Sequence, residues 1–287
     1  MTAPVRVGLV GREILASRSP WLHEREALAQ GLALRYELVD FTARGFADAD
    51  LPRVLAELVA TGFAGVNVTY PFKQAVIPLL ARLSPEAEQV GAVNTVLFRG
   101  AERVGFNTDV TGFAEAVRLD LVGARLGTVV QLGAGGGGSA TAFALLELGT
   151  RRLTIVDKDG GRAAALSARL ARAFPRREIA VGGTGDLAVI VGACDGIVNA
   201  TPLGMAKSPG TALPTQLLEP RHWVADIVYF PLETELLRAA AAVGCRVLDG
   251  SGMAVGQAAA AFEIFTGLRA DRARMLEAFR AFPVPHG

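Results

Sequence analysis

The run Gly133-Ala134-Gly135-Gly136-Gly137-Gly138 follows an apolar stretch at 128–132 and opens an Ala/Leu-rich segment reaching Gly149. Glycines at its first, third and sixth positions let a backbone turn tightly and approach a pyrophosphate, whose charge then sits at the positive end of the helix that follows. The spacing alone is weak; a strand before it and a helix after it make it a dinucleotide signal. Nineteen residues past Gly138, Val156-Asp157 ends the next β-branched run, where a carboxylate can accept both hydroxyls of an adenosine ribose. The alternative is a glycine-rich turn with an aspartate that caps the next helix.

Other polar groups are dispersed through the first third of the chain: Ser17-Arg18-Ser19-Pro20, Asn67 through Lys73, Gly91 through Thr95, and Asn107-Thr108-Asp109. Each cluster stands at the C-terminal end of an expected strand or the start of a helix, where open α/β sheets place their ligands. Singly, each also reads as a cap: Ser19 before Pro20, Asn67 or Thr69 before the Pro71 segment, and Asp109 before the helix after it. Lysine is scarce, with Lys73, Lys158 and Lys207 the three among 29 basic residues, so a lysine inside such a cluster stands out.

The elements that must position these residues follow from the pattern. Short β-branched runs alternate with Ala/Leu-rich segments from end to end, so the fold class is α/β around mostly parallel sheets. Strands are expected at 5–10, 36–40 and 65–68, and helices at 20–30, 51–60 and 71–80. A hairpin is expected from 95–98 and 103–106, turning at Gly100. A second series of strands is expected at 128–132, 152–156, 179–181, 196–199, 224–227 and 246–248, with helices at 253–265 and 271–282. This places a substrate-binding domain at 1–109, completed by the helices of 251–287, and a Rossmann NAD-binding domain at 110–250.

A chain of 287 residues, 51% hydrophobic and 20% charged, is neither disordered nor a single small module. A net charge of +1 leaves no basic footprint for nucleic acid or an anionic membrane. No apolar run approaches the ~18 residues of a membrane span, and the start shows no cleavable signal pattern, so a cytoplasmic protein is expected. Cys194 and Cys245 are far apart, without CxxC or histidine spacing, and read as small core residues; no metal site is expected. His286 lies in the tail, His222 precedes an expected strand, and His23 alone falls near a motif.

Taken in order, the clusters resemble the shikimate dehydrogenase family over nearly the whole chain. The matching segments are S-R-S-P-W-L-H (17–23), N-V-T-Y-P-F-K (67–73), G-A-V-N-T (91–95), N-T-D (107–109), G-A-G-G-G-G-S-A (133–140), N-A-T-P-L-G-M (199–205), D-I-V-Y-F-P-L-E-T (226–234) and G-S-G-M-A-V-G-Q-A (250–258). Val156-Asp157 and H-E-R-E-A-L-A-Q-G (23–31) are most similar to the NAD-using quinate/shikimate branch. The resemblance implies that Ser17 and Ser19, with Tyr229, clamp a substrate carboxylate, and that Thr69, Asn94 and Gln257 bond ring hydroxyls. It implies Lys73 and Asp109 as the catalytic pair. Gly133, Ala134, Gly135, Gly136, Gly137, Gly138, Asp157, Lys158, Arg162, Asn199, Thr201 and Met253 are implied on the cofactor side.

The chemistry agrees with that pair. Oxidising a secondary alcohol moves a hydride to a nicotinamide and releases the hydroxyl proton, so a group that exchanges protons must touch that oxygen. An ammonium and a carboxylate sharing the hydroxyl would hold it and stabilise a developing alkoxide. Where NADP-dependent members carry N-R-T this chain has Asp157-Lys158-Asp159, which favours NAD over NADP. Ala254 replaces a more usual leucine, and Ser19 stands where the quinate-using branch often has threonine. The expected activity is NAD-linked interconversion of shikimate and 3-dehydroshikimate, with quinate and 3-dehydroquinate as a further pair, in a monomer or homodimer acting on small molecules. The alternatives are a dehydrogenase for an aminoshikimate-type substrate, a non-catalytic NAD-binding regulator on the same scaffold, and a similarly built methylenetetrahydrofolate dehydrogenase.

Overall fold

The structure, a computed structural model, describes residues 3–100 and 102–282; His286 lies outside them. The chain divides into two compact units, Met1–Thr108 with Val255–Gly287, and Asp109–Ala254.

The first unit opens with β1 (Val5–Gly11), α1 (Ser19–Ala29), β2 (Leu34–Asp40), α2 (Leu51–Ala60) and β3 (Phe63–Val68). It continues through α3 (Phe72–Ala75), β4 (Arg82–Leu83), α4 (Pro85–Val90), β5 (Thr95–Arg99) and β6 (Glu102–Phe106). Proline opens α1 and α2 at positions whose N–H has no partner within the helix anyway. Leu51, Val54, Leu55 and Leu58 recur at helical spacing, and α2 buries that stripe. The expected helix over 71–80 is one turn, α3, followed by a 3-10 turn at Ile77–Leu79. Pro78 explains the break, because its ring lacks a donor and disfavours α geometry at Ile77.

The strands form a mixed sheet ordered β2-β1-β3-β5-β6-β4, with β5 and β6 as an antiparallel hairpin. Alternation along β1 supplies both faces. Val7 and Leu9 pack with Tyr36, Leu97 and Phe265, whereas Val10 packs with Val66, Phe41 and the α2 stripe.

After α5 (Thr108–Asp120), the second unit runs β7 (Thr128–Leu132), α6 (Gly136–Glu147), β8 (Arg152–Val156), α7 (Gly160–Ala173), β9 (Glu178–Gly182) and α8 (Leu187–Gly192). It then runs β10 (Gly196–Asn199), β11 (Trp223–Asp226), α9 (Glu235–Ala242) and β12 (Arg246–Leu248), before α10 (Gly250–Thr266) and α11 (Arg272–Arg280) close the chain. The six strands are parallel in the order β12-β11-β10-β7-β8-β9, the arrangement of a Rossmann fold. Cys194 and Cys245 are buried in its core beside Val130, Ile197 and Leu236. Among the described residues no helix is long and apolar enough to cross a membrane.

In the first unit α11 is tied to α1 by one carboxylate. The Glu26 side chain is 0% exposed and accepts from Arg274 Nε and Nη2 (both 2.7 Å), Asp271 N (2.9 Å) and Gln30 Nε2 (2.6 Å). Burial works to raise its pKa, and the bonds from Arg274, Asp271 and Gln30 together outweigh it, holding the carboxyl below its ordinary range. With the carboxylate gone Arg274 can turn to solvent, and the cost falls on the part-buried Asp271 N–H and Gln30 amide that lose their acceptor. Glu26→Ala is therefore expected to lower stability in urea unfolding by about 1–3 kcal/mol. A loss under about 1 kcal/mol would show that α11 is held without the carboxylate.

Candidate active site

The glycine loop lies where the strand order reverses, between β7 and β10. Gly133 has φ +102°, and a Cβ there would sit 2.6 Å from the Ala200 carbonyl oxygen, so the two strand ends meet only because position 133 is bare. Gly138 is equally constrained, since its Cβ would come 2.3 Å from Gly133 O. A Cβ on Gly135 would meet nothing within 4 Å, which leaves open backbone at the N-terminus of α6.

Asp157, just past β8, turns its carboxylate onto this loop. Oδ2 accepts from Ala134 N (2.7 Å) and Oδ1 from Asp159 N (2.9 Å). The helix cap is Asp159, whose Oδ1 accepts from Gly161 N (3.0 Å) and Arg162 N (3.2 Å). Lys158 and Arg162 are exposed, and Arg162 pairs with Asp159 at 3.3 Å.

At the end of β10, Asn199 is fully buried, and its Oδ1 accepts from Thr201 N (3.0 Å) and Thr201 Oγ1 (2.7 Å). Its Nδ2 donates to Asp226 Oδ1 (2.9 Å), which also accepts from Val228 N (3.0 Å), while Asp226 Oδ2 accepts from Thr234 Oγ1 (2.8 Å). Burial raises the Asp226 pKa, and the bonds from Val228, Asn199 and Thr234 oppose that rise. One carboxylate thus ties the Thr201 loop to the segment carrying Tyr229, which is itself 48% exposed. Met253 is buried in α10, one turn before the half-buried Gln257.

In the first unit, Ser17 and Ser19 are brought together, with Oγ to Oγ 3.2 Å and Ser19 N on Ser17 Oγ at 3.2 Å. Ser19 does not cap α1; Arg18 holds that position, without a side-chain cap. Asp40 shapes this loop, accepting from Ile14 N (2.7 Å) and Glu13 N (3.2 Å), and Ser17 N in turn bonds Ile14 O (2.9 Å). Thr69 lies against the same loop, since a Cβ on Gly11 would be 2.4 Å from its Cγ2. Neither Asn67 nor Thr69 caps α3.

Asn67 instead joins a buried chain. Tyr36 Oη donates to its Oδ1 (2.8 Å), and its Nδ2 donates to Thr95 Oγ1 (2.9 Å). Asn94 continues the chain, with Nδ2 on Thr108 Oγ1 (2.9 Å) and Thr108 N on Asn94 Oδ1 (2.8 Å). Half-buried Lys73 is held next to Asn94, because its carbonyl accepts from Val93 N (2.8 Å). Asp109 is buried at the second residue of α5, two residues past the position from which a side chain caps. Tyr36, Asp40 and Gln131, whose amide donates to Gly133 O and Gly138 O, support the candidate residues although nothing marks them within their strand-like runs, and Asp226 opens the segment 226–234 without a role assigned by it.

His23 is 1% exposed, stacked on Tyr36 (4.8 Å between centroids) and near Phe262 and Phe265. Burial lowers its pKa from 6.5 to about 3. Between those values the unfolded chain binds a proton that the folded chain does not, so stability falls as pH falls through 6.5. By about pH 5 the loss is roughly 2 kcal/mol. His23→Leu should flatten that decline between about pH 7 and pH 5 in urea midpoints. Parallel declines in both proteins would show that His23 titrates alike folded and unfolded.

Comparisons with known proteins converge. Residues 9–96 match the family model described as shikimate dehydrogenase substrate binding domain, and residues 250–278 match shikimate 5'-dehydrogenase C-terminal domain. A shikimate dehydrogenase (NADP(+)) of Pseudarthrobacter chlorophenolicus is 50% identical over 95% of this chain and 93% of its own. A quinate/shikimate dehydrogenase (NAD(+)) of Corynebacterium glutamicum is 44% identical over 97% and 99%. The solved quinate dehydrogenase from Corynebacterium glutamicum in complex with NAD superposes with a TM-score of 0.92 at 44% identity, covering 97% of this chain and 99% of that one.

Proposed function

The chain belongs to the shikimate dehydrogenase family, and from that premise we propose that it interconverts shikimate and 3-dehydroshikimate with NAD, and quinate and 3-dehydroquinate by the same route. The observation that carries the cofactor choice is the Asp157 carboxylate on the Ala134 N–H at the edge of the glycine loop. The bare backbone at Gly135 and the N-terminus of α6 fit a pyrophosphate. Bound there, NAD supplies the two-electron acceptor. Asn199, Thr201 and Met253 flank its nicotinamide end in this reading.

Asp157 favours a ribose with free hydroxyls. A second negative charge within about 5 Å of a carboxylate costs roughly 3 kcal/mol at an effective dielectric near 20, before screening. Arg162 pairs with Asp159 and Lys158 is exposed to solvent, so in this reading neither offsets the Asp157 carboxylate. Relatives carry both NAD and NADP names, and the carboxylate argues for NAD here.

On the substrate side, the Ser17 and Ser19 hydroxyls and that of Tyr229 donate to the substrate carboxylate. Thr69, Asn94 and Gln257 bond the ring hydroxyls and fix which carbon is oxidised. Lys73 and Asp109 hold the reacting hydroxyl and exchange its proton, so charge developing on that oxygen meets an ammonium.

General acid–base help is typically worth 10²–10⁴ in rate. Lys73→Met and Asp109→Asn are expected to lower kcat with shikimate by roughly that range while the affinity for NAD, measured by titration, is kept. If either variant retained more than about half of the kcat, the assignment of that residue would be wrong.

A further inference from the structure

Gln131 is a polar residue in the middle of a six-stranded parallel sheet. It lies on β7, paired with Ile155 on one side and Val198 on the other, and it is 0% exposed. A primary amide so buried is costly unless its hydrogen-bonding groups are satisfied. Here Nε2 donates to Gly133 O (2.9 Å) and Gly138 O (2.7 Å), while Oε1 accepts from Thr141 Oγ1 (2.8 Å). Carbonyl oxygens only accept, so the amide can face them only with its nitrogen. Both N–H bonds are thereby spent on the glycine loop.

The Gly133 carbonyl belongs to the same peptide unit as the Ala134 N–H. In a trans peptide the two groups point in opposite directions. That unit is therefore gripped from both ends, its oxygen by the Gln131 amide and its N–H by Asp157 Oδ2 at 2.7 Å. No other side chain in this loop can do the work, since residues 133 and 135–138 are glycine and Ala134 has only a methyl. Rotating the peptide would remove the donor that Asp157 faces.

We propose that Gln131 is a positioning residue for cofactor choice: through the Gly133–Ala134 peptide it holds the Asp157 carboxylate where the adenosine ribose is recognised. The inference rests on the reading of Asp157 as the group that favours NAD. It adds that this preference is set jointly by a buried amide that never touches the cofactor.

The experiment compares kcat/KM for NAD and NADP, with shikimate as substrate, in the unmodified enzyme, Gln131→Met, Asp157→Asn and the double variant. Methionine keeps the length of glutamine and removes its donors. A lost neutral hydrogen bond corresponds to roughly 2–10-fold, so Gln131→Met is expected to narrow the NAD:NADP ratio by about that factor with KM for shikimate changed less than about twofold. In the Asp157→Asn background the same substitution should alter the ratio by less than about twofold, because the two residues act through one peptide. Thr141→Val, which removes only the hydroxyl on Oε1, should move the ratio the same way by less and serves if Gln131→Met does not fold.

A merely structural role would lower stability while leaving the ratio unchanged, or would add fully to Asp157→Asn; either result overturns the inference. If Asp157→Asn narrows the ratio and neither Gln131→Met nor Thr141→Val does, the inference alone fails. If Asp157→Asn leaves the ratio unchanged, the reading of Asp157 falls and takes the inference with it.

Discussion

At the end of β7 the backbone passes so close to the end of β10 that no side chain fits. The 2.6 Å that would separate a Gly133 Cβ from Ala200 O, and the positive φ at Gly133, leave glycine as the residue this position accepts. From it follow the turn into α6, the bare stretch at Gly135 and the approach of Asp157 from β8. Because the loop has no side chains of its own beyond one methyl, its shape is imposed from below by Gln131 and from the side by Asp157.

The first unit solves a similar problem with different chemistry. Tyr36, Asn67 and Thr95 lie on its strands, Asn94 just before β5 and Thr108 at the start of α5, and these five are paired: Tyr36 with Asn67, Asn67 with Thr95, Asn94 with Thr108. Leaving one of these buried groups without a partner costs more than a bond gains, so the chain tends to be kept whole or lost together. Asp40 plays the same part for the loop of Ser17 and Ser19, accepting from the backbone at Glu13, Ile14, Thr42 and Ala43. Those four bonds hold its carboxyl below the ordinary range, although burial alone would raise it.

Much of this framework was legible in the residues. The strands at Thr128–Leu132, Arg152–Val156, Gly196–Asn199 and Arg246–Leu248 begin and end where their β-branched runs do. Helix α2 was equally plain from its apolar stripe. The segment after Pro71 was harder, because its apolar residues suit a helix while Pro78 interrupts one. The helix after Thr234 has a local signal of its own, a threonine followed by Glu235 and an Ala/Leu run, and Thr234 Oγ1 accepts from Leu237 N.

Supporting polar residues were the least visible. Gln131, Asp40 and Asp226 sit at or near the ends of apolar runs, where periodicity reports which face is buried and says nothing about what a buried amide or carboxylate touches. Their partners are backbone groups and distant side chains, set by tertiary packing. The capping alternatives were reasonable on local grounds, but Asn67 bonds Thr95 across the sheet, Ser19 pairs with Ser17, and Pro71 rather than Thr69 stands at the cap of α3.

The proposal that this member of the family uses NAD rests on one carboxylate, Asp157, set against the Ala134 N–H of the glycine loop. Steady-state kcat/KM for NAD and for NADP, each with shikimate and with quinate, tests it most directly. The account predicts turnover of shikimate with an NAD:NADP ratio of at least about tenfold, the part of the electrostatic cost that survives screening. Equal efficiency with the two cofactors, or no turnover of either substrate, would contradict it.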